Sequence, residues 1–135
     1  MINMSKVEKR IKKALDTVDN VLVVGHGFGM METLIPMFQT VFVIDKTFPK
    51  VKARNLVYKE DYSDLNNVVG ISAIFIGLDD LLEIPNIVPV LHKTKPTLFV
   101  EGHMTIEREF SGPLYAAGYR CVDLQPTYHL WKYNP

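Results

Sequence analysis

The sequence has one cysteine, Cys121, among its 135 residues. A lone thiol excludes an internal disulfide and makes a reducing cytoplasm the expected setting. No apolar run approaches the roughly 20 residues that cross a bilayer as a helix. The basic opening "MINMSKVEKRIKK" is not followed by the apolar core of a signal peptide. Neither sign of charge is in excess: Lys and Arg total 15, and so do Asp and Glu. No global field therefore draws the chain to nucleic acid or to an anionic membrane. Repeats, low-complexity tracts and linkers are missing too. The four histidines, His26, His92, His103 and His129, are scattered with no pair at metal-ligand spacing on one predicted element, so no metal is expected.

What remains is an ordinary globular composition, 47% apolar. The length fits one domain over 1–135, able to bury about two thirds of its unfolded surface. Val7, Ile11, Leu15 and Val18 recur at helical spacing over 5–18, with Ser5 and Glu8 placed for a capping box and the lysines largely on other faces. Short valine- and isoleucine-rich runs then predict buried strands at 21–24, 40–45, 55–61, 71–80 and 96–103, the fourth at the centre of the sheet. Between them lie helical segments at 30–38, shortened by Pro36, near Ser63, at 81–95, broken by Pro85 and Pro89, and at 112–118, with Pro113 near its start. "YRCVDL" and "YHLWKY", separated by "QPT", alternate in character and suit an antiparallel hairpin. The expectation is an α/β three-layer sandwich: a mostly parallel twisted sheet, helices on both faces, closed by a C-terminal antiparallel hairpin. Ligands of such sheets bind outside the carboxyl ends of the strands, where strand order reverses.

The stretch "VLVVGHGFGM" carries Gly25, Gly27 and Gly29 where the first strand runs into a helix. Such a loop lets a ligand touch the backbone beside free N–H groups, or simply makes a tight turn. Asp45 ends the second strand 20 residues after Gly25, where a carboxylate can accept both hydroxyls of a ribose. Asp61 ends the third strand, Asp79 and Asp80 follow the fourth and Glu101 ends the fifth, so a parallel sheet lines all of them along one edge. Acids in such places also cap helices, and for Asp61 a cap near Ser63 is the alternative. The dinucleotide fingerprint needs glycine where Met30 stands, and no phosphate-loop motif occurs.

"VLVVGHGFG" resembles the glycine-rich motif of class I S-adenosylmethionine-dependent methyltransferases. The resemblance spans about residues 5–135. It implies S-adenosylmethionine as cofactor, held by Gly25, His26, Gly27 and Gly29, with Asp45 on the ribose, Lys46 beside it, Asp61 and Tyr62 at the adenine, and Asp79 near the reactive methyl. "IFIGLDD" stands at the family's fourth-strand motif, and the closing "GYRCVDLQPTYHLWKY" is similar to its final helix and strand pair. Val23 stands where the family often has an acid. The amino-methylating [DNS]-P-P-[YFW] and the Pro-Cys of ring-carbon methylation are absent after the fourth strand, and the insertions that usually build a substrate pocket are missing. Asp79 or His103 is the expected proton acceptor, with the acceptor substrate unnamed. Two other readings stand beside methyl transfer: a non-catalytic binding module or subunit, and an aminopropyltransferase-like enzyme in which Asp79 and Asp80 hold a cationic amine. The segment "GHMTIEREFSG", 102–112, reads as a lid or a mere connection. Tyr128, Leu130, Trp131 and Tyr133 give the hairpin more aromatic weight than a short edge needs, which predicts a two-fold homodimer, unless these residues simply cover the sheet of a monomer.

Overall fold

The computed structural model describes residues 9–13, 20–25, 35–44, 53–59, 61–65, 70–101, 108–124 and 128–135, with the side chains of residues 64, 78–80 and 108–110 outside that description. Seven strands run as β1 (Asn20–Val24), β2 (Thr40–Ile44), β3 (Leu56–Lys59), β4 (Ile71–Ile76), β5 (Thr97–Glu101), β6 (Tyr119–Leu124) and β7 (Tyr128–Tyr133). They form one sheet in the order β3-β2-β1-β4-β5-β7-β6. The first five strands pair in parallel, and β7 enters antiparallel between β5 and β6. The fourth strand of the chain is thus the fourth of seven across the sheet, as the sequence pattern predicts.

Alternation along the strands explains the layers. Val21, Val23, Val41, Val43, Ala73, Phe75 and Phe99 point to one face and pack with Ile11, which lies in a helical stretch at 9–13. Phe75 and Phe99 are register partners and stack with ring centres 4.9 Å apart. Leu22, Val24, Ile74, Ile76, Leu98 and Val100 point to the other face. That face is covered by α1 (Ile84–Thr94) and α2 (Arg108–Ala116) through Ile84, Ile87, Leu91 and Leu114. Helical cover on both faces of one sheet makes three layers.

The helix limits differ from the sequence expectation at both proline sites. Pro85 does not break α1 but opens it, at a position whose N–H has no partner inside a helix. Pro89 lies within α1, yet the helix continues to Thr94. An interior proline costs about 3 kcal/mol. Ile84, Ile87, Val90 and Leu91 are buried along the same helix, and each contributes about 1.5–3 kcal/mol, so burial outweighs the lost bond. The second helix starts at Arg108 rather than 112, which places Pro113 inside it. Residues 108–111, expected as part of a lid or connection, are therefore helical. Of the helix expected at 30–38, residues 35–37 form a 3-10 turn around Pro36, and 30–34 lie outside the described residues. The helix expected near Ser63 is a 3-10 turn at Tyr62–Leu65.

Candidate functional site

Strand order reverses between β1 and β4, which are neighbours although β2 and β3 lie between them in the chain. The register brings the carboxyl ends level: Val24 stands beside Ile44 and Ile76, and Ile76 beside Val100. The next residues along these strands are Gly25, Asp45, Gly77 and Glu101. Gly25 is buried with φ 66 and donates its N–H to the Ile44 carbonyl at 3.1 Å. That left-handed turn swings the chain off the sheet, a conformation that disfavours any side chain. Gly77 is also buried, but with φ −74 and ψ 162. Any residue adopts that conformation, so the backbone does not account for a glycine there. Two residues without side chains thus flank the switch point at the same level. Gly77 passed unremarked in the sequence because it reads as part of an apolar strand.

Asp61 and Tyr62 follow β3 as expected, and both are engaged within the protein. Asp61 accepts the Ser63 N–H at 2.8 Å and the Ser63 hydroxyl, which is the capping arrangement of a 3-10 turn. The Tyr62 hydroxyl donates to Glu83 at 3.2 Å, and the Asn86 amide donates to the same carboxylate oxygen at 2.7 Å. Glu83 ends a 3-10 turn, Leu78–Glu83, that leaves β4 and leads into α1. The Tyr62–Glu83 bond therefore ties the segment after β3 to the segment after β4, two strands that have β2 and β1 between them in the sheet. Asp79 lies in that 3-10 turn, and its side chain is not described. Leu81, in the same turn, packs against the helix-side core. His26, Gly27, Gly29, Asp45, Lys46 and His103 lie outside the described residues.

Beyond β5 the edge carries a second polar set. Glu101 is level with Tyr128, and Val100 with His129. His129 is 1% exposed and Tyr128 is 4% exposed. Burial pushes the Tyr128 phenol up, opposed by the Arg10 charge and reinforced by Asp123. Arg10 and Asp123 form an ion pair that pins the helical stretch at 9–13 to β6. In the sequence Glu101 stood out as an acid at a strand end, Tyr128 as part of the hairpin's aromatic weight, and His129 only as one of four scattered histidines. Among the described residues no three His, Cys, Asp or Glu side chains are placed to hold a metal ion. No described helix is long and apolar enough to cross a membrane.

No family profile and no curated protein matches the sequence. Solved structures do match. A protein of Sulfolobus solfataricus provisionally assigned as a type 11 methyltransferase superposes with a TM-score of 0.69 at 10% identity, over 96% of this chain and 92% of that one. The N-methyltransferase NodS of Bradyrhizobium japonicum WM9 superposes with a TM-score of 0.60 at 12% identity, over 98% of this chain and 97% of that one. The fold is that of the class I methyltransferases. NodS in complex with S-adenosyl-L-homocysteine also matches, with a TM-score of 0.58 at 13% identity, over 97% of this chain and 87% of that one. At these identities the methyltransferase fold carries over with its strand order and closing hairpin, and side-chain roles do not.

Proposed function

We propose that the protein binds S-adenosylmethionine in the crevice between β1 and β4 and transfers its methyl group to an acceptor. The observation that carries this reading is the pair of buried glycines, Gly25 and Gly77, level with each other at the switch point of a methyltransferase fold. A ligand there meets bare backbone on both sides. When bound, the sulfonium supplies a methyl group already activated for transfer, so the protein contributes position and proton handling. In this reading Gly25, His26, Gly27 and Gly29 are the glycine-loop residues that contact the cofactor. Asp45, which follows the β2 residue level with Val24, accepts the ribose hydroxyls, with Lys46 adjacent. Asp61 and Tyr62 are the proposed residues at the adenine, Asp61 also capping the 3-10 turn through Ser63 and Tyr62 bonding Glu83. Asp79 and His103 are the proposed proton acceptors.

The setting proposed is the reducing cytoplasm. The assembly proposed is a two-fold dimer through the closing hairpin, of whose four apolar residues singled out in the sequence only Tyr133 is exposed. Tyr128, Leu130 and Trp131 are buried in the protein's own core. Val122 and Leu124 are exposed on the outer edge of β6, where β6 slips register against β7. Light scattering at micromolar concentration tests it, since a mass near 15.4 kDa rules the dimer out.

Calorimetry with S-adenosylmethionine and S-adenosylhomocysteine tests the cofactor. Both bind the native chain. Asp45→Ala weakens binding by about 1.5–3 kcal/mol, the scale of hydrogen bonds to a charged group. Absence of binding to the folded native chain refutes the reading, and unchanged affinity in the variant refutes the ribose assignment.

A further inference from the structure

The end of the sheet opposite the glycines carries a different chemistry. Here α1 ends, β5 and β6 begin and β7 finishes. Tyr119 is level with Tyr133, and Arg120 with Lys132. The Tyr119 hydroxyl donates to the Pro96 carbonyl at 2.7 Å, which fastens the start of β5 to the same place. The segments that meet there, 92–97, 115–122 and 130–135, contain Lys93, Lys95, Arg120 and Lys132 and no acidic residue. In a chain of zero formal net charge that concentration is local.

Two aromatic rings are interleaved with these cations. Tyr115 is 49% exposed and Tyr133 is 39% exposed. The Arg120 guanidinium lies 5.5 Å from the centre of the Tyr115 ring, and the Lys95 ammonium 5.1 Å from that of Tyr133. Each exposed ring is braced edge-on by a buried one: Tyr115 by Trp131 at 5.3 Å, and Tyr133 by Tyr119 at 5.9 Å. The rings are therefore held in place before any partner arrives, which lowers the ordering cost of binding. Arg120 is also set, by hydrogen bonds to the Tyr115 and Tyr119 carbonyls at 3.5 and 2.7 Å.

We propose that this end of the protein binds single-stranded nucleic acid, with bases stacked on Tyr115 and Tyr133 and phosphates held by Lys95, Arg120 and their basic neighbours. Stacking on braced rings beside cations is how sequence-tolerant single-strand binding is built. The zero net charge of the whole chain does not oppose this, because phosphate contacts are local. The surface lies away from the β1–β4 crevice, so binding needs no S-adenosylmethionine and stands or falls separately from cofactor binding.

The experiment is fluorescence anisotropy of the native chain, without cofactor, with labelled oligouridylate and oligothymidylate of about 12 nucleotides, within the usual site size. A duplex of the same length and polyglutamate are the competitors. Both single strands bind at about 50 mM salt and weaken steeply by about 200 mM. Tyr115→Leu with Tyr133→Leu, which keeps apolar cover over Trp131 and Tyr119, weakens binding at least about 5-fold per ring. Arg120→Gln with Lys95→Gln weakens binding and flattens the salt dependence. Thermal melts confirm that each variant is folded. Discrimination between the two strands in favour of uridylate assigns RNA, and the reverse assigns DNA. No binding by the native chain, tyrosine variants that bind as tightly as the native chain, or equal competition by duplex or polyglutamate overturns the proposal.

Discussion

Two glycine-to-alanine changes should move stability in opposite directions. Gly118 follows α2 with φ 89, a conformation that costs an L-residue about 1–2 kcal/mol. A Cβ there would sit 2.9 Å from the Tyr133 ring, closer than van der Waals contact allows. Tyr133 is partly exposed, so the ring can swing outward. Doing so forfeits its edge contact with Tyr119, worth about 0.5–1.5 kcal/mol. Gly118→Ala should therefore lose about 2–3 kcal/mol. Gly112 lies in the middle of α2, and a Cβ there meets nothing within 4 Å. Gly112→Ala should gain about 0.5–1 kcal/mol through helix propensity and a less flexible unfolded chain. Urea unfolding followed by circular dichroism reads both. With a slope of about 2 kcal/mol per molar, the Gly118 variant unfolds about 1 M earlier and the Gly112 variant slightly later than the native chain. Two shifts of the same sign would refute the argument, since the exchanged atoms are identical and only their surroundings differ.

Tyr119→Phe leaves the buried Pro96 carbonyl without its donor and should cost about 1–3 kcal/mol in the same assay; an unchanged midpoint would show that the bond contributes nothing net. Burial holds the Tyr119 and Tyr128 phenols and the Cys121 thiol above their ordinary values. The unfolded chain therefore loses these protons first, and stability that is complete below about pH 8 falls as pH rises through about 9 to 11. A urea midpoint flat across that range would contradict the assignment, and Tyr119→Phe should lessen the fall at its upper end. Gly27→Val should abolish S-adenosylmethionine binding, measured by calorimetry, while the melt shows a folded chain. Normal binding would mean that the glycine serves only the turn.

The strands were legible because burial on both faces leaves a mark in few residues. Val21–Val24, Thr40–Ile44 and Ile71–Ile76 are largely apolar runs too short for helices, although the fourth strand, expected to 80, stops at Ile76 and Leu78–Glu83 is a 3-10 turn; the hairpin strands Tyr119–Leu124 and Tyr128–Tyr133 match the reading residue for residue. The helices were less legible because proline obeys position. Pro85 opens α1, while Pro89 and Pro113 sit inside helices whose buried faces outweigh one lost bond. At the site, Gly25 announced itself by its neighbours, whereas Gly77 hid at the end of a strand. The Tyr62–Glu83 bond joins residues 21 apart, and no local pattern encodes such a meeting. The cationic end was equally invisible, since its four bases come from three separate segments and disappear into a zero sum.

The position of β7 has a consequence for the chain as it is being made. β6 is synthesised before β7, yet β6 cannot pair with β5, because β7 must lie between them. From the end of β5 at Glu101 to the end of β7 at Tyr133 is 32 residues, the difference of the two numbers. At the usual pace of synthesis that takes about 2–6 s. Through those seconds one side of β5, with Leu98, Phe99 and Val100 at its centre, presents unpaired backbone groups on an apolar strand. Such an edge is a template for pairing with any other strand nearby. The ribosome-bound chain is therefore most exposed to misassembly after the parallel part of the sheet can form and before the hairpin folds back. Chaperone occupancy should be high on nascent chains stalled with β5 outside the ribosome and β7 still inside it, and should fall on release, when β7 can reach β5.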